Sequence, residues 1–570
     1  MSMFNSPFNQ FKNVSTESDV TKPYWGPCTA TSALLKSMGG RPVVFGQHSV
    51  VSETGGNKFR GTLAMITGVG EVVQGLSQAT NGFADWYVTL IYKGVAYRGY
   101  PVDTLDVDGE VIATANALSA NSARAYFGDI GTMEFDLGNV YAPDETEFMY
   151  KICARQTSHT DGSLAGQFMM ASAGNQGKDL MLASVPITDA QWVTWVANTA
   201  SPIPNVVADF PTTNAAQDVG IRLHNLYAVT TKRTVASMGD SKRQGGQNES
   251  GLWLDHTDKP MFGEGSNMYG PYYVGVSNLG YAGEAVSNFG VTAFVGQKEK
   301  CFAGRAKLAR MCTDVDYGYG YNSLTLSSNW QGETTCLAEY QAEFDWIKAQ
   351  CPKIKRWFPS TITPSFTSTD FMTTLANSPP NRNPKILAII NGAIRKGLVK
   401  GMNGFSDPAA AVCAHPQTLA PKIPPRARVI NTGTATITVA AATGSFPAIT
   451  TMDVSGANTF TFEDEGAYFV IPGMGLSAGI LRGQFQHVDG DTMRLIQRNS
   501  EDAPTAIRAN QLNGSVTTLN INFVTNPMYV FAEHYFSDTP AAGGQYLHYG
   551  DRAYDEMRKY NASMGLINHR

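Results

Sequence analysis

Thr234-Val-Ala-Ser-Met-Gly-Asp-Ser-Lys-Arg-Gln-Gly245 decides how the rest of this chain reads. The run from Thr234 to Met238 is short and mostly apolar, as a strand would be. Gly239-Asp240 turns the chain and presents Ser241, and the polar residues after it are suited to opening a helix. A serine just past the C-terminal end of a strand and just before a helix sits where open α/β sheets place their reactive groups. Backbone N–H groups and the positive end of a helix stabilise negative charge that develops there. The geometry suits a nucleophile, and the case for one depends on the partners that the downstream residues supply.

Downstream, residues 226–415 alternate strand-like with helix-like runs. Tyr272-Tyr-Val-Gly-Val-Ser reads as a strand. Residues 296–312 read as a helix leading into a strand near Val315. Leu337, Tyr340, Phe344 and Ile347 share one face of a helix between Cys336 and Cys351. Ile354 to Phe358 reads as a strand stopped by Pro359, and Pro384 to Val399 as a second amphipathic helix. This rhythm predicts an α/β domain, a parallel sheet flanked by helices in three layers.

Upstream, residues 46–225 predict an all-β domain of sandwich or jelly-roll type. Trp86-Tyr-Val-Thr-Leu-Ile-Tyr is β-branched and aromatic apart from one leucine, and Thr132-Met-Glu-Phe-Asp-Leu alternates at period two. Asp108-Gly109 and Asp161-Gly162 punctuate the region as turns. Residues 1–45 are polar and read as an extended N-terminal arm or a loosely packed terminus. Past Pro421, Pro424 and Pro425, residues 416–527 predict an inserted all-β domain. Its strand candidates are Thr434-Ala-Thr-Ile-Thr-Val, Thr459-Phe-Thr-Phe, Met493-Arg-Leu-Ile and Leu519-Asn-Ile-Asn-Phe-Val, with a turn at Asp489-Gly490. Residues 528–570 return to the α/β domain, with a last helix between Arg552 and Met564.

Composition agrees with several β-rich units. A chain of 570 residues exceeds what one core organises, so two to four domains are expected. With 56 glycines and 16% charged residues, tight turns are favoured over long charged helices. The net charge of −5, without a Lys/Arg run, makes nucleic acid a poor partner. The seven cysteines form no CxxC, so buried reduced thiols are expected and a zinc site is not, although the four from Cys301 to Cys351 leave room for one disulfide. No stretch reads as a secretory signal and no apolar run reaches 18 residues, so a membrane span is not expected. Synthesis in a reducing compartment is expected; a protein of this kind that acts outside a cell would leave by another route, such as assembly into a particle.

Three more stretches carry chemistry. In Ser277-Asn-Leu-Gly-Tyr-Ala-Gly-Glu-Ala, a glycine lets a backbone N–H approach a substrate, or is an ordinary turn glycine. In Asp316-Tyr-Gly-Tyr-Gly-Tyr-Asn-Ser-Leu, the Asn322 amide donates to an oxyanion, or caps its own turn. In Phe536-Ser-Asp-Thr-Pro-Ala-Ala-Gly-Gly-Gln-Tyr-Leu-His-Tyr-Gly-Asp, His548 exchanges the serine proton, or is a surface or capping histidine.

In this order the four stretches resemble the SGNH (GDSL-type) serine hydrolases. Gly239-Asp240-Ser241 matches the first block of that family, Asn278 and Gly283 the second, and Gly320-Tyr321-Asn322 the third, with Ser323 where Asp is common. The last block, usually Asp-x-x-His, is matched at His548 only, because Gln545 stands three residues before it. The nearest upstream acid is Asp538, ten residues away. Cys351-Pro-Lys-Ile-Lys-Arg-Trp-Phe-Pro-Ser-Thr-Ile-Thr-Pro is similar to the family's strand before that block.

The resemblance implies a nucleophile at Ser241, with His548 as general base and acid. Asp538 orients His548 across a lengthened loop, unless a Ser–His dyad operates. The oxyanion hole comprises the N–H groups of Ser241 and Gly283 and the Asn322 side chain, and no metal or cofactor is required. The activity implied is ester hydrolysis; the flanking β regions are the motive for expecting O-acetyl groups of a polysaccharide as substrate. Trp86, Tyr87, Tyr97, Trp192 and Trp195 supply stacking surfaces for sugar rings or belong to the core. The competing reading is a non-catalytic, glycan-binding phage tail or fibre protein, docked in the virion through its arm; a trimer would suit such a fibre, but no heptad or repeat shows one. A long-chain lipase fits less well, because no extended apolar lid is visible.

Overall fold

The computed structural model describes residues 19–29, 43–65, 85–115, 129–155, 180–183, 190, 193, 223–244, 273–280, 285–286, 298–326, 329–370, 373–374, 376–415, 419–422, 427–440, 449–455, 460–464, 467–473, 480–489, 492–496, 518–531, 545–546, 556–557 and 560. One long strand, β1 (Asn225–Gly239), joins two kinds of structure. Its first residues pair antiparallel with Lys58–Met65, and its middle pairs antiparallel with Asp19–Pro27. Its last residues run parallel to β2 (Tyr273–Asn278) on one side and β3 (Asp314–Gly318) on the other. β4 (Arg356–Pro359) adds in parallel beyond β3.

The sheet is therefore mixed. The parallel strands lie in the order β2-β1-β3-β4, but the sheet continues through Lys58–Met65 into Asp129–Asp136 and Tyr100–Val102, which pair antiparallel. The expectation of a parallel sheet standing by itself is corrected by the length of β1, whose 15 residues serve both arrangements. Asp19–Pro27, inside the stretch expected to be an arm, is a strand of this sheet with Tyr24 and Cys28 buried beside it.

A second antiparallel sheet runs in the order Leu180–Ala183, Val43–Ser52, Thr146–Arg155, Asp85–Tyr92, Val95–Arg98. Side chains of both sheets share one core: Phe59, Leu63 and Phe135 from the mixed sheet meet Val88, Leu90, Phe148 and Ile152. That is the sandwich arrangement the alternating strands call for. Tyr87 and Tyr97 are half-buried, with the Arg98 guanidinium 4.9 Å from the Tyr87 ring centroid. Trp192, Trp195 and the Asp161-Gly162 turn lie outside the described residues.

Helices cover the parallel strands. Cys336–Gln350 buries Tyr340, Phe344 and Ile347, spaced four and three residues apart, as one helical face requires. Its rings meet those of the sheet edge-on, Tyr340 and Phe344 against Tyr317 of β3, and Phe344 against Trp357 of β4. Pro384–Arg395 begins with Pro at its first position and an Asn383 side chain accepting the Ile386 N–H, a capped start. It buries Ile386, Leu387, Ile390 and Ile394. Lys298–Arg310 precedes β3, and Glu556, Met557 and Tyr560 are helical, with Met557 buried in the same core.

Residues 428–531 contribute an eight-stranded antiparallel sheet with its own core of Ile437, Met452, Phe469, Phe485, Ile521 and Val530 among others. It includes Met528–Phe531, which pairs with Arg428–Ile430 and Tyr468–Pro472. The expected strand at Thr459–Phe462 is corrected: Phe462–Asp464 is a 3₁₀ turn. Asp464 draws the chain round, accepting the Thr461 N–H at 2.9 Å while its own N–H reaches the Thr461 carbonyl at 2.8 Å. Phe460 packs on Phe485 and Phe462 is exposed.

Cys28, Cys312, Cys336, Cys351 and Cys413 are free and buried. Burial pushes the Cys28, Cys351 and Cys413 thiols up to about 12, which leaves them unreactive. Among the described residues no helix is long and apolar enough to cross a membrane, and no cluster of three or more metal-ligating side chains occurs.

Candidate active site

The parallel strands bring their C-terminal ends to one edge of the sheet. Gly239, the last residue of β1, pairs with Gly318, the last of β3. Ser241 opens the helix Ser241–Gln244 directly beyond Gly239-Asp240. Asn322 follows the end of the adjacent β3 by four residues and immediately precedes the helix Ser323–Leu326. The two residues thus leave neighbouring strands at the same edge, where such sheets bind ligands.

Asp240, Lys242 and Arg243, beside Ser241, are each tied down. Asp240 makes the turn, its carboxylate accepting the Lys242 N–H at 3.0 Å and its carbonyl the Arg243 N–H at 2.9 Å. Asp240 therefore acts as a turn residue, as its place before a helix suggests. The Arg243 guanidinium crosses beneath the strand ends to the Asp316 carboxylate of β3 at 3.1 Å, both side chains nearly or fully buried. Asp316 also accepts at Oδ1 from Ser360 at 2.7 Å and Ser406 at 2.9 Å, while its Oδ2 faces the Arg243 guanidinium as an ion pair. The glycines at the strand ends make room for this arginine. A Cβ on Gly318 would stand 2.0 Å from Arg243 Nε, and one on Gly239 2.3 Å from Arg243 Cγ.

Asn278, at the end of β2, donates to the Arg243 carbonyl at 3.0 Å and accepts the Gly280 N–H at 3.0 Å. Lys242 reaches the other way, donating to Thr363 O, Thr363 Oγ1 and Pro364 O past the end of β4. That stretch is held in turn by Asn391, which bonds both the N–H (2.7 Å) and the carbonyl (2.9 Å) of Ile362. One helical turn headed by Ser241 is thus fastened to β2, to β3 and to the segment after β4.

The third block is equally fixed. Gly320 has φ of 130°, and a Cβ there would lie 2.6 Å from Ile362. Tyr321 carries Lys242 Nζ at 3.8 Å from its ring centroid and Arg382 Cζ at 4.8 Å, and its hydroxyl contacts Ser365. Asn322 is half-buried. Ser323, standing where acidic residues are common in the family resembled, is buried and donates to Glu343 at 2.9 Å.

Gly283, Asp538 and His548 lie outside the described residues. The tail that carries His548 is described at β7 (Gln545–Tyr546), a strand added to β5 (Ser365–Thr367), whose other neighbour is β6 (Pro380–Asn381). Tyr546 pairs with Phe366, two residues past the Pro364 carbonyl that Lys242 engages. Long-range pairing of this kind leaves no local sequence signal, nor does the Arg243–Asp316 pair. The repeated Tyr-Gly of residues 317–320 was the one hint that backbone and rings pack closely here.

A histidine–serine pair also occurs in the interior: His224 Nε2 lies 2.6 Å from Ser277 Oγ. With 1% and 0% of their surfaces exposed, these residues meet no substrate. Burial pushes His224 down to about 3, so it is neutral in the fold and serves packing.

No family model matches the chain, and no curated protein matches it. Among solved structures it is similar to a proposed acylhydrolase of Bacteroides fragilis, with TM-score 0.20 and 15% identity over 33% of this chain and 72% of that one. It is similar also to a GDSL-like lipase of Bacteroides thetaiotaomicron, with TM-score 0.20 and 14% identity over 33% of this chain and 73% of that one.

Proposed function

We propose that the chain is a serine ester hydrolase that removes short acyl groups, O-acetyl groups of a polysaccharide foremost, through an acyl-enzyme on Ser241. One observation carries the reading. Ser241 heads a pinned helical turn at the C-terminal edge of the central parallel strand, next to the strand that leads to Asn322. The tail strand Gln545–Tyr546 is zipped onto the segment that this same turn grips through Lys242. His548 follows Tyr546 by two residues in sequence, so no more than about 7 Å of chain can separate them.

In this reading His548 takes the Ser241 proton as Oγ adds to the ester carbonyl. The N–H groups of Ser241 and Gly283 and the Asn322 amide stabilise the oxyanion. Collapse expels the sugar hydroxyl, which receives the proton from His548, and water then releases the acyl group by the same base. Asp538 orients the imidazole and stabilises its cation. Replacing Ser241 by Ala lowers p-nitrophenyl acetate hydrolysis on the order of a thousandfold or more, leaving what the oxyanion hole and binding supply. In a series of p-nitrophenyl esters the rate falls once the acyl chain lengthens past a few carbons. A non-catalytic glycan-binding tail protein, the reading favoured by the ten-residue spacing from Asp538 to His548, requires instead that wild type and Ser241→Ala share one background rate.

A further inference from the structure

We propose that Glu343 is a positioning residue for the Asn322 amide, acting through the Ser323 hydroxyl. What Asn322 does is taken from the esterase reading, on which this assignment rests. The helix Cys336–Gln350 supplies the first observation. The stripe it buries comprises Cys336, Tyr340, Glu343, Phe344 and Ile347. These residues follow the three-and-four spacing of one apolar face, and an acid stands where that pattern calls for a hydrocarbon. Glu343 is only 7% exposed, and burying a carboxyl group costs stability that a leucine would not. A residue that breaks an otherwise consistent pattern points to a task other than packing.

The contact that Glu343 makes supplies the task. Its Oε2 accepts the Ser323 hydroxyl at 2.9 Å, a bond buried at both ends. Ser323 follows Asn322 and opens a helix of only four residues, Ser323–Leu326. A single helical turn does not hold its own shape, so the backbone here takes its place from tertiary contacts. On the near side of Asn322, Tyr321 is fixed through Ser365, and Gly320 packs against Ile362 and Trp330. On the far side, the Leu324 N–H reaches the Gly320 carbonyl at 3.2 Å and Ser323 is held by Glu343. Tyr321, Ser323 and Leu324 are buried, and Asn322 alone of these four consecutive residues is not.

The same helix is seated on the strand that leads to Asn322, with Tyr340 and Phe344 edge-on to Tyr317 of β3. Glu343 thus stands between two anchored rings and carries that anchorage to the residue beside Asn322. An amide that stabilises an oxyanion has to be in place before the charge develops. A misplacement of about 1 Å lowers the rate on the order of a hundredfold.

Steady-state kinetics on p-nitrophenyl acetate, with melting measured alongside, test this. Glu343→Leu completes the apolar stripe, so melting at or above the wild-type temperature is expected. Its kcat is expected to fall about 10- to 100-fold while KM moves less than about twofold, because the oxyanion forms only in the transition state. Glu343→Gln, which keeps an acceptor for the hydroxyl, recovers most of that loss. Ser323→Ala repeats the loss from the other end of the bond. The deciding arm is a double variant. Asn322→Ala alone lowers kcat about a hundredfold or more, and Glu343→Leu adds less than about twofold to it, because its effect passes through an amide already gone. A merely structural role multiplies the two losses instead. Ser323→Ala combined with Asn322→Ala gives the same comparison if Glu343→Leu does not fold. Wild-type kcat in Glu343→Leu, or losses that multiply in the double variant, overturns the assignment while Ser241→Ala and Asn322→Ala stay impaired. Hydrolysis indifferent to Ser241→Ala overturns the esterase reading, and the role of Glu343 with it.

Discussion

At the scale of single residues, the turn around Ser241 is built from two glycines and one arginine. Gly239 and Gly318 leave the space that Arg243 fills on its way to Asp316. Gly318→Ala forces a methyl group onto Arg243 Nε, and a cost of about 1–3 kcal/mol in urea unfolding is expected. The glycine ahead of Ser241 was visible in the sequence as a turn residue, but its packing against Arg243 was not, because the arginine's partner lies 73 residues away. His224 yields a pH signature. Its folded value, about 3, lies below the ordinary 6.5, so the unfolded chain binds the proton more readily. Its stabilisation is whole above pH 6.5 and drains away as pH falls towards 3, at up to about 1.4 kcal/mol per unit. Unfolding free energies measured across that window are expected to fall less steeply in His224→Gln.

At the scale of elements, the Pro384–Arg395 helix does more than cover the sheet. Buried Asn391 replaces a strand partner for Ile362, and Ile362 sits between Ser360, which holds Asp316, and Thr363, which holds Lys242. Asn391→Ala strands two buried backbone groups, a cost of about 2–4 kcal/mol in urea unfolding. A lower kcat on p-nitrophenyl acetate is expected with it, since the lost bonds support the turn of Ser241. Local pattern was a good guide at the Cys336–Gln350 helix, which follows from its apolar spacing, and at the strand Asp85–Tyr92, which follows from its β-branched and aromatic residues. It misled at Thr459-Phe-Thr-Phe, where alternation reads as a strand but the Asp464 carboxylate bends the chain instead. A side chain that competes for backbone N–H groups overrides propensity in so short a run.

At the scale of the whole molecule, β1 carries the mixed sheet from antiparallel partners to parallel ones, and the eight-stranded sheet of residues 428–531 keeps a core of its own. Arg428 pairs with Val530, so the chain enters and leaves that sheet side by side. Replacing residues 428–530 by a short Gly/Ser linker is expected to leave p-nitrophenyl acetate hydrolysis in place, because antiparallel neighbours at entry and exit need little chain to join. Length and composition led to the expectation of several β-rich units. They did not foretell that one strand belongs to two of them, since its run of buried residues looks alike on either side of the change in partner.

The central claim is that Ser241 is activated by an imidazole delivered from the tail. A fluorophosphonate bonds to a serine only where a base has readied it, so mass spectrometry of the labelled, digested protein tests the claim directly. The adduct is expected on the peptide containing Ser241, and is expected to vanish in His548→Ala protein that melts as wild type does. An adduct on another residue, or undiminished labelling of Ser241 without His548, contradicts it.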